Sequence, residues 1–307
     1  MPESVEGVVV TRSRRNVDVD TPGGRLRCTL RGKFRVTSNQ RALVVVGDQV
    51  LVSPGGGDEG VLEEVKPRRS ELTRGTGAGV PVVIAANLDQ LLIVLAASEP
   101  PPRWSLVDRM LACAERDGLE AGICLNKWDQ VSDDVVEAAR LQELLAVYEG
   151  LGYPVFRISA LAGEGLANVV EWLRNKSTAA SGHSGVGKST FLNALDPSLK
   201  RRTGAVNQVT GKGRHTTSAV ELLPMPFGGY VADTPGFRTF SLLGLLPAEL
   251  GRQFPELRAL LNTCKYPDCL HVREPQCAVR DALAEGVVTK FRYESYLRIL
   301  KQLEEEL

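Results

Sequence analysis

The apolar positions of this chain change their period along its length. Over the first sixty or so residues they fall in short runs, Val5 to Thr11, Asn16 to Asp20, Leu26 to Arg31 and Gln49 to Ser53. Turn-forming clusters separate them: Thr21-Pro22-Gly23-Gly24, Gly47-Asp48 and Ser53-Pro54-Gly55-Gly56-Gly57. From about residue 81 apolar strand-like runs alternate with helical spacing. Val82 to Ala85, Gln90 to Ala96, Ala121 to Leu125 and Val155 to Ile158 read as strands. Ser105 to Asp117 reads as a helix with Leu106, Met110, Leu111 and Ala114 on one side, and Ser132 to Gly150 as another, opened by Ser132-Asp133-Asp134. Beyond about residue 246 strand spacing stops. Pro247 to Arg252, Glu256 to Leu261 and Thr289 to Leu307 read as helices, the last with Phe291, Tyr296, Leu297, Leu300 and Leu303 on one stripe.

Three domains follow from that pattern. Residues 1–67 hold five or so strands, which suits a small β-barrel of the OB type, with another small sheet as the alternative. Lys66 to Val80 reads as a linker. Residues 68–245 alternate strand and helix, which implies a mainly parallel sheet covered on both faces. Residues 246–307 are helical.

Composition narrows the partners. The 307 residues are 43% hydrophobic, enough for packed cores, and carry 37 basic against 37 acidic side chains, so no global field draws the protein to nucleic acid or lipid. Basic residues concentrate locally, nine against four acidic from Met1 to Arg41, and five against none from Pro197 to Thr217. A solvated face accounts for either patch as readily as an RNA-binding one. The most apolar stretch, Val80 to Ala97, is broken by Asn87, Asp89 and Gln90, so no membrane span is expected. No secretory leader is evident, and the six cysteines are expected to be reduced thiols or metal ligands in a cytoplasmic protein.

Two short motifs carry most of the chemistry. Gly182-His183-Ser184-Gly185-Val186-Gly187-Lys188-Ser189-Thr190 fits a phosphate-binding loop. Its glycines let backbone N–H groups turn toward phosphate oxygens, and the helix that follows adds its positive end. Lys188 would bridge the outer phosphates and Ser189 would hold Mg²⁺. Asn126-Lys127-Trp128-Asp129 ends an apolar strand. Asp129 only accepts hydrogen bonds, which suits the two adjacent donors on the edge of guanine and rejects adenine there. Lys127 would pack over the base, Asn126 would tie the base loop to the phosphate loop, and Ser159-Ala160 would supply a backbone N–H to the guanine oxygen. Asp233-Thr234-Pro235-Gly236 follows a strand. Asp233 could reach Mg²⁺ through water and Gly236 could follow the terminal phosphate.

Between these lies Gly211-Lys212-Gly213-Arg214-His215-Thr216-Thr217, glycine-rich and basic, as a mobile switch segment would be. Thr217 is the first choice for a second Mg²⁺ hydroxyl, Thr216 the second, and His215 is the candidate for orienting water. Phe237 stands where a water-orienting Gln often follows the Asp-x-x-Gly turn, so slow unassisted hydrolysis is expected. Cys264, Cys269, His271 and Cys277 fall within fourteen residues, which suits a closed Cys₃His zinc site or, failing that, three reduced loop cysteines. Cys28, Cys113 and Cys124 are scattered and read as small core residues.

The base-reading motif precedes the phosphate loop, the reverse of the usual order. With the Ala85-Ala86-Asn87-Leu88-Asp89-Gln90 stretch, the Gly213-Arg214-His215-Thr216-Thr217 segment and the Cys-x₄-Cys-x-His-x₅-Cys cluster, the whole chain resembles the circularly permuted, small-ribosomal-subunit-dependent GTPase family of the YjeQ/RsgA type. The resemblance implies an OB barrel, a permuted P-loop α/β GTPase domain and a helical zinc domain. It also implies GTP hydrolysis stimulated by the small ribosomal subunit, a role with that subunit and its rRNA late in maturation, and His215 at the position proposed as catalytic. The motifs themselves call for GTP/GDP, Mg²⁺ and one Zn²⁺ per chain, and a monomer is expected. Two departures stand out. Ser177-Thr178-Ala179-Ala180-Ser181, where an aliphatic strand should feed the phosphate loop, predicts loose packing, and Ser218 replaces the third of the family's run of threonines.

Overall fold

The computed structural model describes residues 4–13, 16–36, 44–74, 82–199, 220–233, 242 and 244–305, with backbone only at 31–36 and 233. The N-terminal strands are β1 (Val5–Arg12), β2 (Asn16–Thr21), β3 (Gly24–Val36), β4 (Gln49–Pro54) and β5 (Glu59–Val65). They close a barrel in the order β1-β2-β3-β5-β4, with β1 pairing back onto β4. Alternation fixes the faces: Val17 and Val19 of β2 and Val50 and Val52 of β4 point into a core shared with Val9, Cys28, Leu62 and Val65. The barrel expectation holds, and β5 is the strand that the apolar pattern does not single out, because Glu63-Glu64 interrupts its run.

The stretch after the barrel differs from a linker. The Arg68 side chain is 3% exposed and grips Asp48, its Nε 2.7 Å from Oδ1 and its Nη2 2.9 Å from Oδ2. Glu71–Arg74 forms β6, which pairs antiparallel with β7 (Val82–Ala86) as a separate ribbon. β7, expected in the large sheet, therefore lies outside it.

The central sheet is built from β8 (Gln90–Ala96), β9 (Glu120–Asn126), β10 (Val155–Arg157), β11 (Ser177–Ser181), β12 (Glu221–Pro224) and β13 (Tyr230–Asp233), in the order β10-β9-β8-β11-β13-β12. All neighbours are parallel except the edge pair β12–β13. Helices α1 (Trp104–Asp117), α2 (Val135–Gly150), α3 (Leu166–Leu173) and α4 (Lys188–Leu195) connect them. Asp134 caps α2 by accepting from the N–H groups of Val136 and Glu137, so the acidic cluster sets that start as its sequence suggests. Every residue of β8 is buried, and its side chains alternate between two cores. Leu91, Ile93 and Leu95 join Met110, Leu111, Leu141 and Leu145 of α1 and α2, whereas Leu92, Val94 and Ala96 join Val169, Leu173, Phe191 and Leu192 of α3 and α4.

The loose packing predicted for β11 is not seen. Thr178 through Ser181 are buried between β8 and β13, with Ala179 in one core and Ala180 in the other, where larger neighbours such as Ile93 and Phe191 fill the volume. The Thr178 hydroxyl is satisfied by Gln90 Nε2 at 2.8 Å.

The C-terminal region holds a 3₁₀ segment Pro247–Gln253, a single helical turn Pro255–Arg258, α5 (Ala278–Ala284) and α6 (Lys290–Glu305). Its core is continuous with that of the sheet. Leu250, Phe254, Leu257, Tyr296, Ile299 and Leu300 pack in one cluster with Val107, Met110 and Leu111 of α1. The buried face of α6 is turned slightly from the expected stripe, taking in Arg292, Tyr293 and Ser295 while Phe291 and Leu297 are only partly buried.

Candidate functional site

Parallel strands deliver their following loops to one edge of a sheet, and here β9, β11, β10 and β13 all end at the same edge. Gly182 to Gly187 forms the loop between β11 and α4. A Cβ on Gly182 would lie 2.2 Å from the Val94 carbonyl oxygen, so the loop leaves the sheet in contact with β8. Gly185 and Gly187 both have φ of +89°, the left-handed region that glycine occupies without strain. A Cβ on Gly187 would also lie 2.3 Å from Asn126 Nδ2. Val186 anchors the loop at 2% exposure, whereas Ser184, Gly185, Ser189 and Thr190 are exposed. The Lys188 ammonium donates to the Gly182 carbonyl at 2.7 Å, folded across its own loop, and Nδ1 of His183 sits 2.8 Å from the Ser184 carbonyl oxygen.

The base-reading motif meets that loop through one side chain. Asn126, 2% exposed at the end of β9, donates from Nδ2 to the Val186 carbonyl at 2.9 Å and accepts at Oδ1 from the Ala160 N–H at 3.0 Å. A single amide therefore joins three loops that are 34 and 60 residues distant in sequence. Lys127 takes a left-handed conformation (φ 61°), and its ammonium reaches the Glu99 carbonyl. Asp129 lies exposed in the 3₁₀ turn Trp128–Gln130. That turn is held by the Trp128 N–H donating to Ile158 at 3.0 Å. Ser159 is buried and organises its own turn, accepting from Gly163 at its carbonyl and from Ala162 at its hydroxyl. The N–H groups of Ser159 and Ala160 are engaged within the protein, on Glu164 O and Asn126 Oδ1. Neither points freely toward a base, which differs from the sequence expectation for that pair.

Asp233 ends β13 in register with Ala180 of β11, one strand across from the root of the phosphate loop. His215, Thr216, Thr217, Gly236 and Phe237 lie outside the described residues.

In the C-terminal region Cys264, Cys269, His271 and Cys277 converge, with their ligand atoms all within 4.8 Å of one another. The Cys264 and Cys277 sulfurs are 4.0 Å apart, and His271 Nδ1 is 3.6 Å from the first and 3.3 Å from the second. Four ligands on a tetrahedron with metal–sulfur bonds of about 2.3 Å have edges of about 3.8 Å. The cluster fits zinc in size and donor type. Its surroundings fix the turn. His271 sits in the left-handed region (φ 62°), Tyr293 and Tyr296 of α6 donate to the carbonyls of His271 and Leu270, and Glu274 accepts from the N–H groups of Leu270, Val272 and Arg273. Partial burial pushes the Glu274 carboxyl up, but those backbone donors outweigh it and hold the group below its usual range. Burial lowers the basicity of His271, which favours the neutral imidazole that a metal requires.

A mainly parallel sheet with a phosphate loop and an Asn-Lys-x-Asp motif at the same edge, the two in reversed chain order, defines a circularly permuted P-loop GTPase. The comparisons agree. The family model described as RsgA GTPase matches residues 65–243. The chain belongs to that family. "Small ribosomal subunit biogenesis GTPase RsgA" of Gemmatimonas aurantiaca is 40% identical over 99% of this chain and 99% of its own, and the protein of that name from Moorella thermoacetica is 41% identical over 97% of each. Among solved structures, YjeQ from Thermotoga maritima superimposes with a TM-score of 0.80 at 34% identity, covering 98% of this chain and 99% of that one. YloQ, described as a circularly permuted GTPase, gives 0.78 at 29% identity, over 99% and 96%.

Proposed function

We propose that this GTPase works on the small ribosomal subunit late in its maturation, binding the particle in one nucleotide state and leaving it in the other. The observation that carries the nucleotide half is the Asn126 amide, which ties the guanine motif to the phosphate loop and so makes one pocket of two distant segments. In that pocket Asp129 reads the base, with Lys127 packed over it and Ser159-Ala160 closing its far side. Gly182, His183, Ser184, Gly185, Val186 and Gly187 cradle the phosphates, with Lys188 drawn off the Gly182 carbonyl onto the outer ones and Thr190 in the first turn beyond. Ser189, Thr217 and Asp233 hold or approach Mg²⁺, which would neutralise charge developing on the transferred phosphoryl group. Gly236 follows the terminal phosphate and His215 orients water. Cys264, Cys269, His271 and Cys277 hold one zinc ion, which staples a helical region that has no strands among its described residues.

The partner half is supported by the names of the relatives, which are small-subunit biogenesis factors over almost their full length, and by the closed five-stranded barrel, an architecture that binds nucleic acid. Among the described residues no helix is long and apolar enough to cross a membrane. We place the protein in the cytoplasm as a monomer. Single-turnover GTP hydrolysis measured alone, with purified small subunits and with large subunits tests the proposal. Stimulation by small subunits alone is expected. Equal rates in all three would leave an assembly clamp in which turnover is incidental.

A further inference from the structure

The stretch that leaves β7 and opens β8, Asn87-Leu88-Asp89-Gln90, holds none of the base- or phosphate-reading residues, yet its polar side chains reach the barrel on one side and β11 on the other. Asn87 is 5% exposed and left-handed (φ 54°), a conformation that Asn tolerates better than most residues. Its Nδ2 donates to the Gly47 carbonyl in the barrel at 2.9 Å, and its Oδ1 accepts from the Arg69 N–H at 2.8 Å. The barrel turn is pressed hard against this point: a Cβ on Gly47 would lie 2.0 Å from the Ala86 carbonyl oxygen, and the Ala86 N–H donates to Val46 at 2.9 Å. Behind the turn, buried Asp48 is gripped by Arg68.

Two residues on, the connections face the other way. Asp89 Oδ2 accepts from the Ser177 N–H at 2.8 Å, the Asp89 N–H donates to the Ser177 carbonyl at 2.8 Å, and Oδ1 pairs with Arg69 Nη1 at 3.0 Å. Gln90, fully buried, donates to the Thr178 hydroxyl. Ser177 and Thr178 open β11, the strand that runs straight into Gly182. Barrel turn, Arg69, the β7–β8 connection and the phosphate-loop strand are thus joined by a series of hydrogen bonds; those from Asn87 to Gly47 and from Gln90 to Thr178 are buried, where such bonds are strongest, whereas the Arg69–Asp89 pair is exposed.

We propose that Asn87, Asp89 and Gln90 are positioning residues that set β11 against the barrel and so couple the barrel's seat to nucleotide affinity. The inference uses only the family's guanine nucleotide and is independent of the ribosomal partner. Coupling of this kind is reciprocal. Nucleotide bound at the loop steadies the barrel's contact, and loosening that contact weakens nucleotide.

Both directions are measurable on the full chain. In the unaltered protein, saturating GDP should slow amide hydrogen exchange at Ser177 and also at Ala86 and Asn87, with the Gly55 amide, bonded to Glu59 at the opposite end of β4 from Gly47, unchanged. In Asn87→Ala, which removes no contact to β11, GDP affinity measured well below the melting temperature should fall by about tenfold, within the range usual for coupled sites. Asp89→Ala should do the same, and Asp89→Asn, which keeps an acceptor for the Ser177 N–H, should restore most of the affinity. A residue that only stabilises the fold would lower the melting temperature without changing affinity in the folded protein. GDP affinities within twofold of the unaltered chain in both alanine variants, or Ala86 and Asn87 amides indifferent to GDP, would overturn the proposal. The exchange measurement needs no variant and decides the matter even if the substitutions impair folding.

Discussion

Arg292 of α6 closes its guanidinium on Asp108 of α1, and both side chains are sealed from water, at 1% and 0% exposure. The same guanidinium binds Glu256, Nε to Oε1 at 2.6 Å, and lies between the rings of Phe254 and Tyr148, 4.7 and 5.5 Å from their centroids. Tyr148 of α2 donates to the same Asp108 oxygen at 2.8 Å. This knot joins two helices of the sheet domain to the last helix of the metal-binding region. A continuous core and this buried ion pair seat the C-terminal region on α1.

Arg292→Met should therefore be costly. It strands two buried carboxylates, and breaking one side of such a pair costs about 3–5 kcal/mol. Urea denaturation should show that loss. Adding Asp108→Asn should return part of it, since one uncompensated charge is removed. A loss under about 1 kcal/mol would mean that the knot is open to water in solution.

The two left-handed glycines of the phosphate loop should respond differently. Alanine at Gly185 meets nothing closer than Pro100 Cδ at 3.4 Å and suffers mainly the backbone strain, about 1 kcal/mol. Alanine at Gly187 carries the same strain and also displaces Asn126 from the Val186 carbonyl. Together these amount to about 3 kcal/mol, or roughly a hundredfold in GDP affinity. Calorimetric titration of both variants checks the ordering.

Asp129→Asn should exchange an acceptor for a donor at the base. Preference should move from guanine toward xanthine nucleotides by more than about tenfold, because a mismatched donor leaves a polar group unpaired. Competition of GDP and XDP for a fluorescent nucleotide reads this directly. An unchanged preference would take Asp129 out of the base site.

Thiol chemistry should divide the six cysteines into two sets. Burial pushes Cys28 up to about 11 and Cys113 up to about 12, and raises Cys124 further still. At pH 8 the first is thiolate in roughly one molecule in a thousand, and the fraction rises tenfold per pH unit, so all three should resist alkylation in the folded protein. Chelation should release about one zinc per chain and expose Cys264, Cys269 and Cys277 together, with a fall in melting temperature. Metal analysis combined with counting of alkylated thiols measures both. Six reactive thiols before chelation would contradict this division.

The parts legible in sequence are those that local chemistry enforces. The phosphate loop needs glycine where φ is positive, and Gly185 and Gly187 stand there. The metal ligands lie within fourteen residues, close enough for short turns to gather them. Asp134 caps its helix through its own near neighbours. The tie between Asn126 and the phosphate loop was also legible, because the motif itself names the partner.

What depended on tertiary structure has a common physical origin: burial is conferred by segments far away in the chain. Nothing near Arg292 or Asp108 marks either as buried, since the two meet across 184 residues and are enclosed by Tyr148, Phe254 and Glu256 from other elements. β7 looks like any apolar strand, but β8 is already flanked by β9 and β11, so β7 pairs with β6 and packs against the barrel turn. The small residues of β11 suggested a void that larger neighbours fill. Sequence determined which chemistry the pocket holds, because backbone conformation and ligand spacing are local. Packing determined how barrel, pocket and metal region bear on one another, because desolvation exists only once distant surfaces meet.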